Sequence, residues 1–468
     1  MTDVQRDGGV HPTGTDRSGA PAPAADLLVI ADQVLDLVRA RATGAEIEVT
    51  IRHGDEALTR FANGFIHQNV AEETRRVLLR VALDGRSAGS SADRFDREAL
   101  ARLADEVLEV ARSRPEDPDW PGLAGPAPAA GVEHWDDSTA WAPPDERARH
   151  VRGFVDAAGG LETAGSCLTA AAMAVFANSA GQRLAGRTTV AGLSGIARTA
   201  TSDGSAREAS VRLAALDGGA LGRRAAGKAR DAADPTDLEP GRYEVVLEPQ
   251  CVANMLEFLF LHGFNGRAVE EGRSFVRLGE AQFDRSITLL DDATDPGQVG
   301  VAFDAEGTPK RRVEVVRAGV TSGILHTRRT AKKAGARSTG HATEGAGQWG
   351  AVPANVVLAA GDRPAAELVA GMERGLLVTD FWYTRILDPR TQVVTGLTRN
   401  GVWLVEGGRI VRPVRNLRFT QSFHEALGPG AVRAVGSERT LILDGLEAAY
   451  LVPGLHLASW NFTGGARG

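Results

Sequence analysis

Beyond Pro240 the chain holds one long helical pattern and is otherwise a succession of short apolar runs broken by turn residues; this feature restricts the fold most. The runs include RSITLLDD, RRVEVVRAGVTSGILH, ANVVLAAG, GLLVTDFWYT, TQVVTGLTRNGVWLVEGGRIVRPVRNLRFT and RTLILDGLEAAYLVPGLHLASW. Short stretches of β-branched and aromatic residues bounded by Gly, Pro, Asn and Asp read as strands, and close spacing pairs neighbours as hairpins. The second half is therefore expected to be a β-rich antiparallel domain. No fixed-period repeat runs through it, which excludes a solenoid.

The first half mixes both periodicities. Leu27, Ile30, Val34, Leu37 and Val38 recur at helical spacing and Gly44 follows as a stop. Three alternating stretches, EIEVTIRHG, EALTRFANGFIHQN and RRVLLRVALDGRSAGSSA, then read as antiparallel strands. DREALARLADEVLEVARSR, DERARHVRGFVDAAGG and GALGRRAAGKARDAADP read as helices, and VFANSAGQRLAG as a hairpin turning at Asn178-Ser179-Ala180-Gly181. The fold class expected is α+β, with an N-terminal domain of antiparallel sheet and packed helices over 26–235 and a C-terminal β-rich domain over 236–468. Residues 1–25, rich in Gly, Pro and Ser without apolar period, are expected to be a disordered tail.

The net charge of -7, with 53 basic and 60 acidic residues interspersed, supplies no broad positive field for nucleic acid. No apolar stretch approaches the roughly 18 residues of a membrane span and no signal peptide is evident. Two cysteines, Cys167 and Cys251, are too few for a disulfide framework. A cytoplasmic protein is expected.

Three local matches fail on context. Gly345-Ala346-Gly347-Gln348-Trp349-Gly350 has a dinucleotide-binding glycine pattern, but no strand leads into it and a strand rather than a cofactor helix follows. His424-Glu425 opens like a zinc-protease motif, yet Gly428 stands where the second histidine belongs. The run Phe381-Trp382-Tyr383-Thr384-Arg385 is read as sheet and interface packing rather than a nucleic-acid platform.

Several segments, in order along about residues 30 to 465, resemble the TldD/PmbA family of peptidase-associated proteins. They are GAEIEVTIRHGDEALTRFANGFIHQN, VLLRVALDGRSAGSSADRFD, VFANSAGQRLAG, YEVVLEP, the run Phe303 to Thr308, Ser338-Thr339-Gly340-His341-Ala342, ANVVLAAGD and GVWLVEGGRIVRPVRNLRFT. The resemblance implies an α+β first domain, a β-rich second one, and work in pairs. In such a pair a zinc-bearing TldD-type subunit associates with a metal-free TldE/PmbA-type subunit to degrade or trim peptides.

In TldD-type subunits the helix opening the second half carries His-Glu-x-x-x-His, whose histidines hold zinc and whose glutamate activates water. The matching stretch here is Glu257-Phe258-Leu259-Phe260-Leu261-His262. Only the second histidine is kept. Phenylalanine accepts no proton, and its i, i+4 relation to His262 sets an apolar ring beside that imidazole. The family's C-terminal cysteine ligand is also missing, since no cysteine follows Cys251. Glu257 and His262 point differently on an undistorted helix, and catalytic zinc ordinarily takes three protein ligands. No catalytic residue and no metal or other cofactor are expected on this chain; zinc is expected on a TldD-type partner.

Candidate substrate-cleft residues are His262, Asn265, Arg267 and His341. Each has a plainer reading: a half-buried helix-end histidine, a solvated loop for Asn265 and Arg267, and a Gly-rich turn fixed by His341. The expected function is a non-catalytic TldE/PmbA-like subunit of a zinc metallopeptidase complex, with a peptide as substrate and a homodimer as the state without its partner. Two other readings stand beside it: a divergent peptidase or amide hydrolase active alone, and a factor in peptide or natural-product maturation.

Overall fold

The structure, a computed structural model, describes residues 21–344, 346–444 and 448–465. The expected tail lies outside the described residues as far as residue 20. Helix α1 (Ala24–Arg39) begins inside the span expected to be tail, and the Ala22 N–H donates to His53 Nδ1 at 2.6 Å. Two alanines behind Pro23, with Asp26 in the first turn, are good helix-starting residues.

Six antiparallel strands make the first sheet: β1 (Glu46–Ala62), β2 (Phe65–Leu83), β3 (Arg86–Ala92), β4 (Glu162–Asn178), β5 (Arg183–Arg198) and β6 (Asp203–Ser210). Their order is β3-β2-β1-β4-β5-β6. The alternating stretches are joined differently from the expectation. His53-Gly54-Asp55 is no turn; β1 runs through it, and the hairpins turn at Asn63-Gly64 and Asp84-Gly85, where all four residues have positive φ. Asn-Gly and Asp-Gly are the pairs that adopt this conformation at least cost. Gly54 stays in the strand because a Cβ there would fall 2.7 Å from the Ala171 carbonyl oxygen.

Period-two alternation gives this sheet two unlike faces. On one, Ile47, Val49, Ile51, Val77, Leu79 and Val81 pack with α1 and α2 (Arg97–Ser113), whose first turn is capped by Asp96 accepting from the Ala99 N–H at 3.0 Å. Farther along, Phe61, Cys167, Leu193 and Ala206 share a core with α4 (Pro144–Ala157) and α5 (Gly218–Asp231); the single turn α3 (Asp137–Ala140) precedes α4. The other face carries Glu48, Arg52, Arg76, Arg80, Ala174 and Phe176, and meets the second half. β3 pairs with β2 only from Val77 onward, so Phe65–Arg76 is an open sheet edge.

After β7 (Gly241–Leu247) come α6 (Pro249–Phe258), α7 (Gly266–Glu270), β8 (Leu289–Asp291), β9 (Val313–Arg317), β10 (Val320–Thr321), α8 (Arg328–Ala334) and β11 (Asn355–Leu358). The remaining strands are β12 (Arg374–Asp388), β13 (Val393–Glu406), β14 (Arg409–Pro413), β15 (Leu417–Ser422), β16 (Val432–Val435), β17 (Thr440–Asp444), β18 (Ala448–Val452) and β19 (Leu455–Gly465). One sheet runs β10-β9-β8-β11-β18-β17. The other runs β12-β7-β19-β15-β13-β14 and closes through β12–β13 pairing. The pairing is mostly antiparallel, as expected, and two pairs of named strands, β7–β12 and β11–β18, are parallel. Each joins strands far apart in the chain, as a parallel pair requires. Phe381, Phe419, Phe423 and Trp460 fill the core beside α6, with Phe381 4.6 Å from Phe419 and 5.2 Å from Trp460. Trp382 and Tyr383 face out, Trp382 under the Arg399 guanidinium at 4.2 Å. The architecture is α+β. Among the described residues no helix is long and apolar enough to cross a membrane.

Candidate functional site

Helix α6 starts at Pro249, where a missing N–H is harmless, and buries Cys251, Val252, Met255 and Leu256. Past Phe258 it does not stay α-helical. Leu259–Gly263 form a π turn in which the Phe264 N–H donates to the Leu259 carbonyl at 3.0 Å. Gly263 is required there, because a Cβ would lie 2.1 Å from the Phe275 ring. A π turn brings a residue five positions on round toward the same side, so the undistorted helix assumed for Glu257 and His262 is not the one present. The imidazole of His262 stacks on the Phe258 ring at 6.0 Å, and Phe258 meets Phe423 edge-on at 5.8 Å. Burial, with Arg273 adding to it, holds the His262 pKa below its ordinary value. The donor set does not fit a family-type zinc centre: a phenyl ring occupies the place of the base. Among the described residues no three His, Cys, Asp or Glu side chains group as metal ligands.

Asn265 and Arg267 are engaged with the chain itself. Asn265 Nδ2 donates to the carbonyls of Leu261 (3.1 Å) and Trp349 (2.7 Å), and its Oδ1 accepts from the N–H groups of Arg267 (3.0 Å) and Ala351 (3.2 Å). All four hydrogen-bonding positions are filled. The Arg267 guanidinium donates to the carbonyls of Gly347 and Gln348 and pairs with Glu271. His341 is buried, its Nδ1 2.8 Å from Thr339 Oγ1 and its Nε2 3.0 Å from Asp291 Oδ1. Burial alone would raise Asp291, but His341 and the Ala354 N–H hold its pKa below the usual carboxylate value. Asn265, Arg267 and His341 thus all brace segment 339–352, whereas His262 sits apart on the π turn.

That segment walls a cavity of about 520 Å³ against the inner face of the first sheet. Arg52, Arg76, Ala172 and Ala174 come from the sheet, and Val301, Phe303, Asp304, Lys310 and His341 from the second half. Beside it lies a seam of buried charge. Arg80 on β2 reaches both Glu48 on β1 and Glu306 of the second half, and Glu306 Oε2 accepts the Arg328 N–H at 2.8 Å. Burial raises the Glu48 pKa to about 7 despite Arg80, with Glu306 adding to the rise. Asp304 accepts N–H groups of Glu306 (2.9 Å), Thr308 (2.8 Å) and Ala342 (2.9 Å), and burial beside Glu306 raises its pKa too.

Residues 240–464, which hold the π turn and the 339–352 wall, match the family model for the PmbA/TldA metallopeptidase C-terminal domain. The second half of the chain belongs to the TldD/PmbA family. It is 26% identical over 226 residues to a metalloprotease of Methanothermobacter thermautotrophicus, a match spanning 47% of this chain and 48% of that protein. A metalloprotease of Synechocystis is 24% identical over 191 residues, 40% of each chain. The sequence matches therefore span about half the length of these relatives or less. Among solved structures, TldE from Thermococcus kodakarensis superposes with a TM-score of 0.84 at 18% identity, over 93% of this chain and all of that one. A putative modulator of a DNA gyrase from Thermotoga maritima gives 0.81 at 19%, with the same coverage. These likenesses establish the fold.

The sequence pointed to the helix, Asn265, Arg267 and His341 but not to Arg52, Arg76, Lys310 or the Glu48–Arg80–Glu306 seam. Part of the signal was present. The Asn63-Gly64 turn sets the β1–β2 register, which places Arg52 opposite Arg76 and Glu48 opposite Arg80. What Glu306 meets depends on how two distant parts of the chain dock, which local pattern does not encode.

Proposed function

We propose that this chain is a non-catalytic TldE/PmbA-like subunit that joins a zinc-bearing TldD-type subunit in a cytoplasmic metallopeptidase complex that degrades or trims peptides. The observation that carries this reading is Phe258. General-base catalysis requires an ionisable group within reach of the attacking water, and a phenyl ring packed between His262 and Phe423 offers none. The likeness of its fold to TldE of Thermococcus kodakarensis supports the same assignment.

In this reading the chain contributes shape. An extended peptide binds by adding a strand, which reads main chain rather than side chains. The sheet around β13 closes on itself, so the long edge open to such addition is Phe65–Arg76 of β2.

The test is to measure metal content and peptide hydrolysis for the chain purified alone, and again with a TldD-type protein from the same cell. The expected result is a metal-free, inactive chain that raises the partner's activity on mixing. Stoichiometric zinc with hydrolysis by the isolated chain would overturn the reading and favour a peptidase active alone, with Glu257 and His262 as the first ligands to mutate.

A further inference from the structure

We propose that the cavity between the first sheet and segments 300–310, 340–344 and 349–354 binds a carboxylate, and that its ligand is the free C-terminal end of a peptide. The inference rests on the peptide-handling reading above and adds to it a site and a polarity of binding.

The first argument is charge placement. Arg52 and Arg76 stand directly opposite each other on neighbouring strands and on the same face. Like charges in that relation repel, and an anion placed between them converts the repulsion into attraction. Arg76 has Glu344 at 2.9 Å. Arg52 makes no hydrogen bond or ion pair to another described residue. Lys310 enters from the opposite wall, its Nζ 3.4 Å from Asn355 Oδ1.

The acidic groups of the lining cancel only part of this charge. Glu344 offsets Arg76, one Asp304 oxygen accepts the N–H groups of Glu306 and Thr308 and the other that of Ala342, and Arg52 is left without a carboxylate partner among the described residues. Burial also shifts Asp304 toward its neutral form.

Shape supplies the second argument. Ala174 lies opposite Arg52 on β4 with Gly186 beyond it, and Val301 and Phe303 pack down onto this strip of small residues. Val301, Phe303, Val352 and Pro353 wall the rest with apolar surface. An apolar wall beside two guanidinium groups that share a single carboxylate suits the last residue of a peptide better than inorganic phosphate, which offers nothing to the wall.

The experiment titrates the full-length chain with a labelled hexapeptide ending in leucine, as the free acid and as the C-terminal amide, with inorganic phosphate as competitor. The free acid is expected to bind about tenfold tighter than the amide. Arg52→Ala, first shown by thermal melting to be folded, is expected to abolish that advantage, and Arg52→Lys to restore part of it. Equal binding of acid and amide to the wild-type chain overturns the proposal, as does phosphate displacing the peptide at equal concentration. Failure of the subunit reading is recognised separately. A chain that prefers the acid but never stimulates a TldD-type partner loses its assigned role and keeps its carboxylate site, whereas stimulation without any acid preference does the reverse.

Discussion

The seam around Arg80 and the turn that ends α6 are both buried and both contain polar groups, but they are built in opposite ways. The seam keeps ionisable side chains inside: Glu48, Arg80, Glu306 and Asp304 sit between the first sheet and the second half. The turn and the short helix Phe423–Ala426 near it surround their histidines with rings instead. Phe258 stacks on His262, and Phe275 and Phe283 enclose His424 at 4.4 and 5.2 Å. Burial therefore raises carboxyl pKa values in the seam and lowers imidazole values at the turn. In this chain rings pack around the end of α6, while buried charge is concentrated where the halves meet.

The sharpest way to break the comparison is Arg80→Met. It leaves Glu48 and Glu306 buried without their shared cation, and the expected loss is about 3–5 kcal/mol at pH 8 by urea unfolding. The sign of the pH dependence follows from Glu48. Its folded pKa, about 7, exceeds its ordinary 4.5, so its contribution is fully present below pH 4.5 and is lost as pH rises through 7. Without Arg80 that loss steepens, so the variant is expected to be hurt less at pH 5 than at pH 8. Equal destabilisation at both would mean that packing, not charge, dominates the seam.

Gly307→Ala tests the same joint without touching a charge. Gly307 has φ +67°, and a Cβ would fall 2.1 Å from the Phe176 ring. Strain and overpacking together are expected to cost about 3 kcal/mol, equally at pH 5 and pH 8. A pH-dependent cost would show that docking geometry and charge in the seam are coupled.

These two residues also mark what a single sequence discloses. The helices, the Asn178–Gly181 hairpin loop and the β-rich second half follow from local periodicity and turn chemistry, and they appear where that chemistry puts them. Phe258 beside His262 follows from helical spacing alone. The π turn does not, because it sets Gly263 against the Phe275 ring twelve residues on in the chain, a contact that local pattern does not encode. Asn265, Arg267 and His341 were legible as polar groups of a loop region, while their partners, the backbone at 347–351 and Asp291, depend on tertiary docking.

On the turn side, Asn265→Ala removes the acceptor of two N–H groups and the donor of two carbonyls. A cost of about 2 kcal/mol is expected, independent of pH, because the group is neutral. Hydrogen exchange should quicken at Arg267 and Ala351, whose N–H groups lose their acceptor. Exchange unchanged at both would mean that the wall of the cavity is held by Arg267 and His341 without it.

The smallest effect at neutral pH belongs to His424→Phe, and it resolves the comparison most finely. Burial, with Arg277 adding to it, lowers the His424 pKa to about 4 from an ordinary 6.5. Its contribution is therefore fully present above pH 6.5 and is lost as pH falls toward 4, opposite in sign to Glu48. The two windows overlap, so Glu48 and His424 offset each other between pH 4.5 and 6.5. Phenylalanine keeps the stack on Phe275, so the change at pH 7 is expected to stay within about 1 kcal/mol. Removing the histidine takes away one imidazole that opposes the seam, and stability should then fall more between pH 4.5 and 7 than it does in the native chain. If the profile of the variant matches that of the native chain, His424 does not offset the seam, and the contrast between a charged seam and an apolar turn would have to rest on geometry alone.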